Sequence, residues 1–157
     1  MDYKIRELKQ NEISVLNTFL YEAIFIPDGV DASPYEIINQ PELQVYVTDF
    51  GKKKGDICYV SECDNKIVGA VWVRIMNDYG HVDDETPSFA ISLHKEYRNY
   101  GIGTELMKRM ISELKKQGYK QASLSVQKIN YAFHMYSKLG FVIIDENDEE
   151  YIMLCKL

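Results

Sequence analysis

Apolar and polar positions along the chain change period several times, and each change marks an element. The opening "YKIRE" alternates and predicts a short strand. In "EISVLNTFLYEAIF", Ile13, Leu16, Phe19, Leu20 and Ala23 recur at helical spacing. "IPDGVDASP" is rich in turn residues and predicts a loop. "PYEIINQPELQVYVTDFG" is mixed and predicts short helices broken at Pro41 and closed at Gly51, with "KKKG" as an exposed linker. "DICYVSE" and "KIVGAVWVRIM" are rich in β-branched residues and lie either side of "CDN", which predicts a hairpin. "NDYGHVDDE" is polar and turn-like, and "TPSFAISL" is a further strand. After Gly103, Leu106, Met107, Met110, Ile111 and Leu114 form one helical stripe that Gly118 closes. "QASLSV" alternates again, "NYAFHMYSKLG" is a short helix ending at Gly140, and "FVIID" and "YIMLCKL" are two last strands around an acidic turn.

The predicted order is β-α-α-β-β-β-α-β-α-β-β. A strand–helix–strand–helix unit inside an otherwise antiparallel run implies an α/β (α+β) domain, with a mixed, mostly antiparallel sheet and helices on both faces.

Composition narrows the function classes. The 157 residues suit one domain, and 46% apolar residues suffice for a core. A formal net charge of −6 argues against nucleic acid as a partner. No apolar run approaches the roughly 20 residues that cross a bilayer, so no membrane partner is expected. "MDYKIRELKQ" lacks the apolar stretch of a signal peptide. Cys58, Cys63 and Cys155 are odd in number and form no C-x-x-C pair, which suits reduced thiols in a cytoplasmic protein without a zinc site. His81, His94 and His134 carry no metal-binding pattern, so no metal is expected.

The stretch "EYRNYGIGTELM", residues 96–107, poses the chemical question. A dinucleotide fingerprint would need glycine where Leu106 stands, and a P-loop would need G-K-[ST] where the chain has Gly103, Thr104 and Glu105. What remains is R-x-x-G-x-G where a strand hands over to a helix. Without Cβ atoms, Gly101 and Gly103 let backbone N–H groups approach an oxyanion. The helix that follows adds unpaired N–H groups and the positive end of its dipole. Arg98 can supply a charge-assisted contact. A glycine-rich turn before a surface helix is the competing reading of the loop taken alone.

A second segment joins it: "NYAFHMYSKLGF", residues 130–141, with Asn130, Ala132, Tyr136, Leu139, Gly140 and Phe141. Together with "SLHKEYRNYGIGTELM" it resembles the GNAT acyltransferase superfamily, over roughly residues 56–157. The resemblance implies a GNAT-like fold in which the strand ending near Leu93 splays from "QASLSV". It implies acetyl-CoA as acetyl donor, its pantetheine arm pairing with backbone groups of Ile91, Ser92 and Leu93 in the manner of an added strand. The N–H of Leu93 would hold the thioester oxygen and the oxyanion that develops there. The pyrophosphate would lie on Arg98, Asn99, Tyr100, Gly101, Ile102, Gly103 and Thr104.

Tyr136 matches the tyrosine that stands near the sulfur, where a thiolate leaving group gains from a proton donor or a hydrogen bond. Packing of its ring against the sheet is the alternative. Asn130 bonds the pantetheine or caps its helix, and both readings stand. Leu139 and Phe141 are core residues in this scheme.

The acceptor amine must lose a proton before it attacks. The superfamily often places a glutamate on the acetyl-binding strand, and the matching position here is Pro87, with Glu85 two residues earlier. Glu85 is the candidate base, although the strand from there to Ile91 spans roughly 20 Å at about 3.3 Å per residue. A bulge or a water relay would have to close that distance, and a solvated acidic turn is the alternative. Asp83, Asp84 and Glu85 together favour a cationic acceptor, while the later "DENDEE" is expected to be only a solvated hairpin turn.

The expected protein is thus one N-acetyltransferase domain over 1–157, with residues 21–55 on the acceptor side and 86–141 forming the acetyl-CoA core. It would move acetyl directly to a primary amine in a ternary complex, since no cysteine is placed to carry the acetyl group. The superfamily's habit of pairing through its sheet or C-terminal strands implies a homodimer. The rivals are a non-catalytic acyl-CoA sensor and an enzyme using another acyl group.

Overall fold

The computed structural model describes residues 1–157. Seven strands form one open sheet: β1 (Lys4–Glu7), β2 (Ile57–Cys63), β3 (Lys66–Arg74), β4 (Ser88–Leu93), β5 (Gln121–Gln127), β6 (Val142–Glu146) and β7 (Glu150–Lys156). The helices are α1 (Val15–Glu22), α2 (Pro41–Gln44), α3 (Ile102–Lys116) and α4 (Ala132–Lys138), with short 3₁₀ turns at Gln10–Glu12, Tyr35–Asn39 and Lys95–Tyr97. The strands lie in the order β1-β2-β3-β4-β5-β7-β6. All pairs are antiparallel except β4 with β5. No helix is long and apolar enough to cross a membrane.

Local chemistry explains the elements. The β2–β3 hairpin turns on Asp64 and Asn65, at φ 51° and 63°, the paired left-handed residues of a two-residue turn that follows strand twist. Helix α3 buries Ile102, Leu106, Met107, Met110 and Leu114 against the sheet, each worth about 1.5–3 kcal/mol of burial. It ends where Gly118, at φ 89°, lets the N–H of Tyr119 turn back to the Leu114 carbonyl at 3.1 Å.

The sheet separates two cores. Tyr59, Val71, Val73, Phe89, Leu124 and Val126 pack with α3 and α4 on one face. Val60, Ala70 and Trp72 pack with Leu16, Phe19 and Leu20 of α1 on the other. The segment 45–56 is fixed to the second face by a buried ion pair. Arg74 donates Nε and Nη2 to Asp56 at 3.1 and 2.8 Å, and Nη1 to the carbonyls of Val45 and Thr48 at 3.0 and 2.9 Å. Trp72 Nε1 donates to the Tyr46 carbonyl at 3.0 Å and holds the same segment.

Candidate active site

The site begins as a fault in the sheet. β4 and β5 share a single register pair, Ser88↔Ser123. The Ser123 N–H reaches the Pro87 carbonyl at 3.0 Å, and beyond this point the strands diverge. On the other side of β4 the register with β3 runs unbroken from Arg74↔Ser88 to Gly69↔Leu93. The His94 N–H donates to Val68 at 2.9 Å, so even-numbered peptide groups of β4 face β3. By alternation the N–H and C=O groups of Ile91 and Leu93 face the gap. Ser92 does not: its peptide is turned to β3, and its hydroxyl donates to the Phe19 carbonyl at 2.6 Å, tying β4 to α1.

Two cavities meet at this gap. One, of about 270 Å³, lies toward α1 and α2 and is walled by Leu20, Leu43, Tyr46, Ala90, Ser125 and Glu150 among others. The second, of about 640 Å³, runs past Leu93, Lys95, Arg98, Gly103 and Met135. Ile91, Asn130 and Tyr136 line both, as does the segment Ala23–Phe25 that follows α1. They therefore stand at the junction.

The second cavity ends at the turn before α3. Asn99 and Gly101 take positive φ, 68° and 83°, and the first intrahelical bond is from Glu105 N–H to the Gly101 carbonyl at 3.2 Å. The N–H groups of Ile102, Gly103 and Thr104 thus have no helical partner, and no side chain caps them. A Cβ on Gly103 would meet only Leu93 Cδ1 at 3.6 Å and Met135 Sδ at 3.7 Å, ordinary contacts, so the protein's own packing does not require glycine there. Tyr100 is exposed, and the Ile102 side chain is core. Arg98 Nε donates to the Leu93 carbonyl at 3.1 Å, and its Nη2 lies 3.3 Å from Glu22 Oε2. Lys95, passed over in the sequence, adds a second cation to this cavity.

At the junction, Tyr136 is buried, packs edge-on to Phe141 at 6.1 Å, and has its hydroxyl pKa pushed up to about 12 by burial. Asn130 accepts the Ala132 N–H at 2.9 Å and so caps α4 through its side-chain oxygen. It also lines both cavities.

The carboxylate that lines a cavity is not the sequence candidate Glu85. Glu85 is exposed in the turn before β4, its N–H donating to Asp83 Oδ1 at 2.8 Å, and it lines neither cavity. The β3–β4 register has no bulge to bring it closer. Glu150, the last residue of an acidic run whose composition predicts a solvated turn, instead opens β7 and forms part of the first cavity wall. Behind it, Asp78 accepts the hydroxyls of Tyr46 and Ser88, both at 3.1 Å. Burial raises the pKa of Asp78, while those two bonds oppose the rise. Burial, then the charges of Glu149 and Asp78, raises that of Glu150. The sequence signal for Glu150 was its place at the head of the alternating series Glu150, Ile152, Leu154. No group of three or more His, Cys, Asp or Glu side chains is assembled to hold a metal ion.

Comparison with known proteins sets this geometry in context. The model of the acetyltransferase (GNAT) domain matches residues 54–143. The chain is 27% identical to streptothricin acetyltransferase A of Bacillus subtilis (strain 168) over 123 residues, 74% of this chain and 68% of that protein. It spans 37 to 39% of the length of further curated relatives. Among solved structures it resembles the PaiA N-acetyltransferase of Thermoplasma acidophilum in complex with coenzyme A, with a TM-score of 0.74, 18% identity and full coverage (100%) of both chains. It also resembles a putative streptothricin acetyltransferase of Bacillus anthracis str. Ames in complex with acetyl coenzyme A, with a TM-score of 0.72 and 21% identity, over 100% of this chain and 99% of that one.

Proposed function

The chain belongs to the GNAT acetyltransferase family, and on that footing we propose that it transfers the acetyl group of acetyl-CoA directly to the primary amine of a cationic acceptor. The observation that carries this reading is the β4–β5 gap, with the peptide groups of Ile91 and Leu93 turned into it and Tyr136 at the junction of two cavities.

Each part of the donor meets a fitting group. The pyrophosphate takes the uncapped N–H groups of Ile102, Gly103 and Thr104, with Arg98 and Lys95 supplying positive charge. The pantetheine amides take the free groups of Ile91, and the Leu93 N–H bonds the acetyl oxygen, the Leu93 carbonyl being held by Arg98. The larger cavity suits the long donor, and the smaller one the acceptor.

Tyr136 acts on the sulfur as a hydrogen-bond donor. With its pKa pushed up to about 12 it stays protonated across the neutral range. Giving that proton outright to the thiolate would carry a cost, because burial favours the neutral tyrosine over the tyrosinate. A hydrogen bond spreads the charge without that cost, and solvent completes the thiol.

The test is acetyl-CoA consumption against a panel of amines (streptothricin, polyamines, lysine and an amino-terminal peptide), read as free CoA thiol and as acetylated product by mass. Amine-dependent thiol release supports the reading. Tight acetyl-CoA binding with no transfer to any amine would favour a sensor instead.

A further inference from the structure

We infer that Glu150 receives the acceptor's ammonium and takes its proton, and that the acceptor is therefore a primary ammonium carried on an apolar body. This rests on the acetyltransferase reading and adds the base and the acceptor chemistry to it.

Three observations converge. Glu150 is the one charged side chain in the wall of the first cavity, whose other walls are largely Leu, Ile, Phe and Val. Its position in the sheet is opposite to that of Tyr136. Gln127↔Glu150 and Ser125↔Ile152 are register partners, so Ser125, Gln127 and Glu150 share one face. Val126 and Leu124 point to the other face, into the core that holds Tyr136. An amine beside Glu150 thus approaches the gap from one side of the sheet, while the sulfur departs toward Tyr136 on the other.

Third, the carboxylate has no cation of its own. None of the chain's ion pairs includes Glu150. Lys128, the cation of that corner, is held by Glu146 at 3.3 Å and lies over the Tyr151 ring at 5.3 Å.

Asp78 from the turn before β4 and Glu149 beside it are negative, and Tyr46 and Tyr79 both feel the Glu150 charge. Asp78 has its two oxygens engaged by Tyr46 and Ser88. A half-buried carboxylate among negative neighbours favours either a proton or a cation from outside. An ammonium supplies both in turn.

The ammonium gives one proton to the Glu150 carboxylate, and the freed lone pair forms the N–C bond as the C–S bond breaks. The nitrogen loses its second surplus proton to water as the amide forms. The thiolate gains one proton from solvent, and Glu150 returns its own. One proton is released for each acetyl group moved.

The experiment compares the wild-type chain with Glu150→Gln and Glu150→Asp, using the amine of the panel that is acetylated fastest, over roughly pH 6 to 10. Glu150→Gln is expected to lose about 10²-fold in kcat/KM near neutrality, within the range of general bases, with unchanged acetyl-CoA affinity. The loss should shrink as the pH nears the amine's own pKa, where free amine needs no base. Glu150→Asp, which keeps a carboxylate on a shorter arm, should recover part of the rate. A Glu150→Gln variant with the wild-type rate and pH profile, or with a deficit equal at every pH, overturns the assignment. If the wild-type chain acetylates no amine, the acetyltransferase reading itself falls.

Discussion

Gln127 and Glu150 are register partners across β5 and β7, and this pairing puts the Glu150 side chain on the sheet face opposite the core that holds Tyr136. The same placement has a thermodynamic consequence. Burial and the charges of Glu149 and Asp78 raise the Glu150 pKa above that of an ordinary glutamate. The folded chain then binds this proton more tightly than the unfolded chain does. Stability contributed by Glu150 is therefore greatest at low pH and declines as pH rises from the ordinary glutamate pKa through the raised one. Glu150→Gln removes that decline. Thermal unfolding should show the variant at least as stable as wild type at pH 7, with a flatter pH dependence above about pH 4. A variant clearly less stable at neutral pH would mean that the carboxylate has a favourable partner.

Tyr136→Phe keeps the ring against Phe141 and removes the hydroxyl. A hydrogen bond to a departing thiolate acts only as charge develops, so kcat should fall by about 10²-fold, as when an oxyanion donor is lost. Acetyl-CoA affinity should hardly change. Wild-type turnover in steady-state assays would assign Tyr136 to packing alone.

Gly103 is free to carry a Cβ as far as Leu93 and Met135 are concerned, so a substitution there reports on the donor. Gly103→Val should keep the melting temperature near that of wild type and weaken acetyl-CoA binding by at least about tenfold, roughly 1.4 kcal/mol. Calorimetry showing equal affinity would remove the pyrophosphate from this turn.

The wall of the first cavity depends on a buried pair at some distance from it. Arg74 and Asp56 have side chains 2% and 0% exposed, and they hold the segment that carries Tyr46. Arg74→Met leaves the buried Asp56 carboxylate without its cation, with only the N–H groups of Gly51 and Lys53 still donating to it, and should cost about 3 kcal/mol in urea unfolding. Adding Asp56→Leu should cost less than the two single changes summed, because the second removes the charge that the first stranded. Strict additivity would show that the two groups do not act as a pair.

Much of this was legible in the sequence because its signals are local. The hairpin at Asp64–Asn65, the stripe of α3 and the R-x-x-G-x-G turn each depend on neighbours within a few residues. The carboxylates were not legible, for a physical reason. "ENDEE" has the polarity of a solvated turn, and the placement of Glu150 in a cavity wall follows from its pairing with Gln127 of β5 and from a cavity it shares with Tyr46, both distant in the chain. Glu85 failed as a candidate because β4 begins at Ser88 and pairs with β3 without a bulge. The sequence does not separate Ser92 from Ile91 and Leu93, because which peptide groups face the gap depends on the parity of pairing with β3, which no single strand encodes.

The central claim is that the donor lies in the β4–β5 gap, and a titration of isotope-labelled protein with acetyl-CoA followed by amide NMR tests it most directly. The amides of Ile91, Leu93, Ile102, Gly103 and Thr104 should shift together and saturate with one affinity, while those of β1 and of the β2–β3 turn stay in place. Saturable shifts confined to other parts of the fold, with these five amides unmoved, would contradict it.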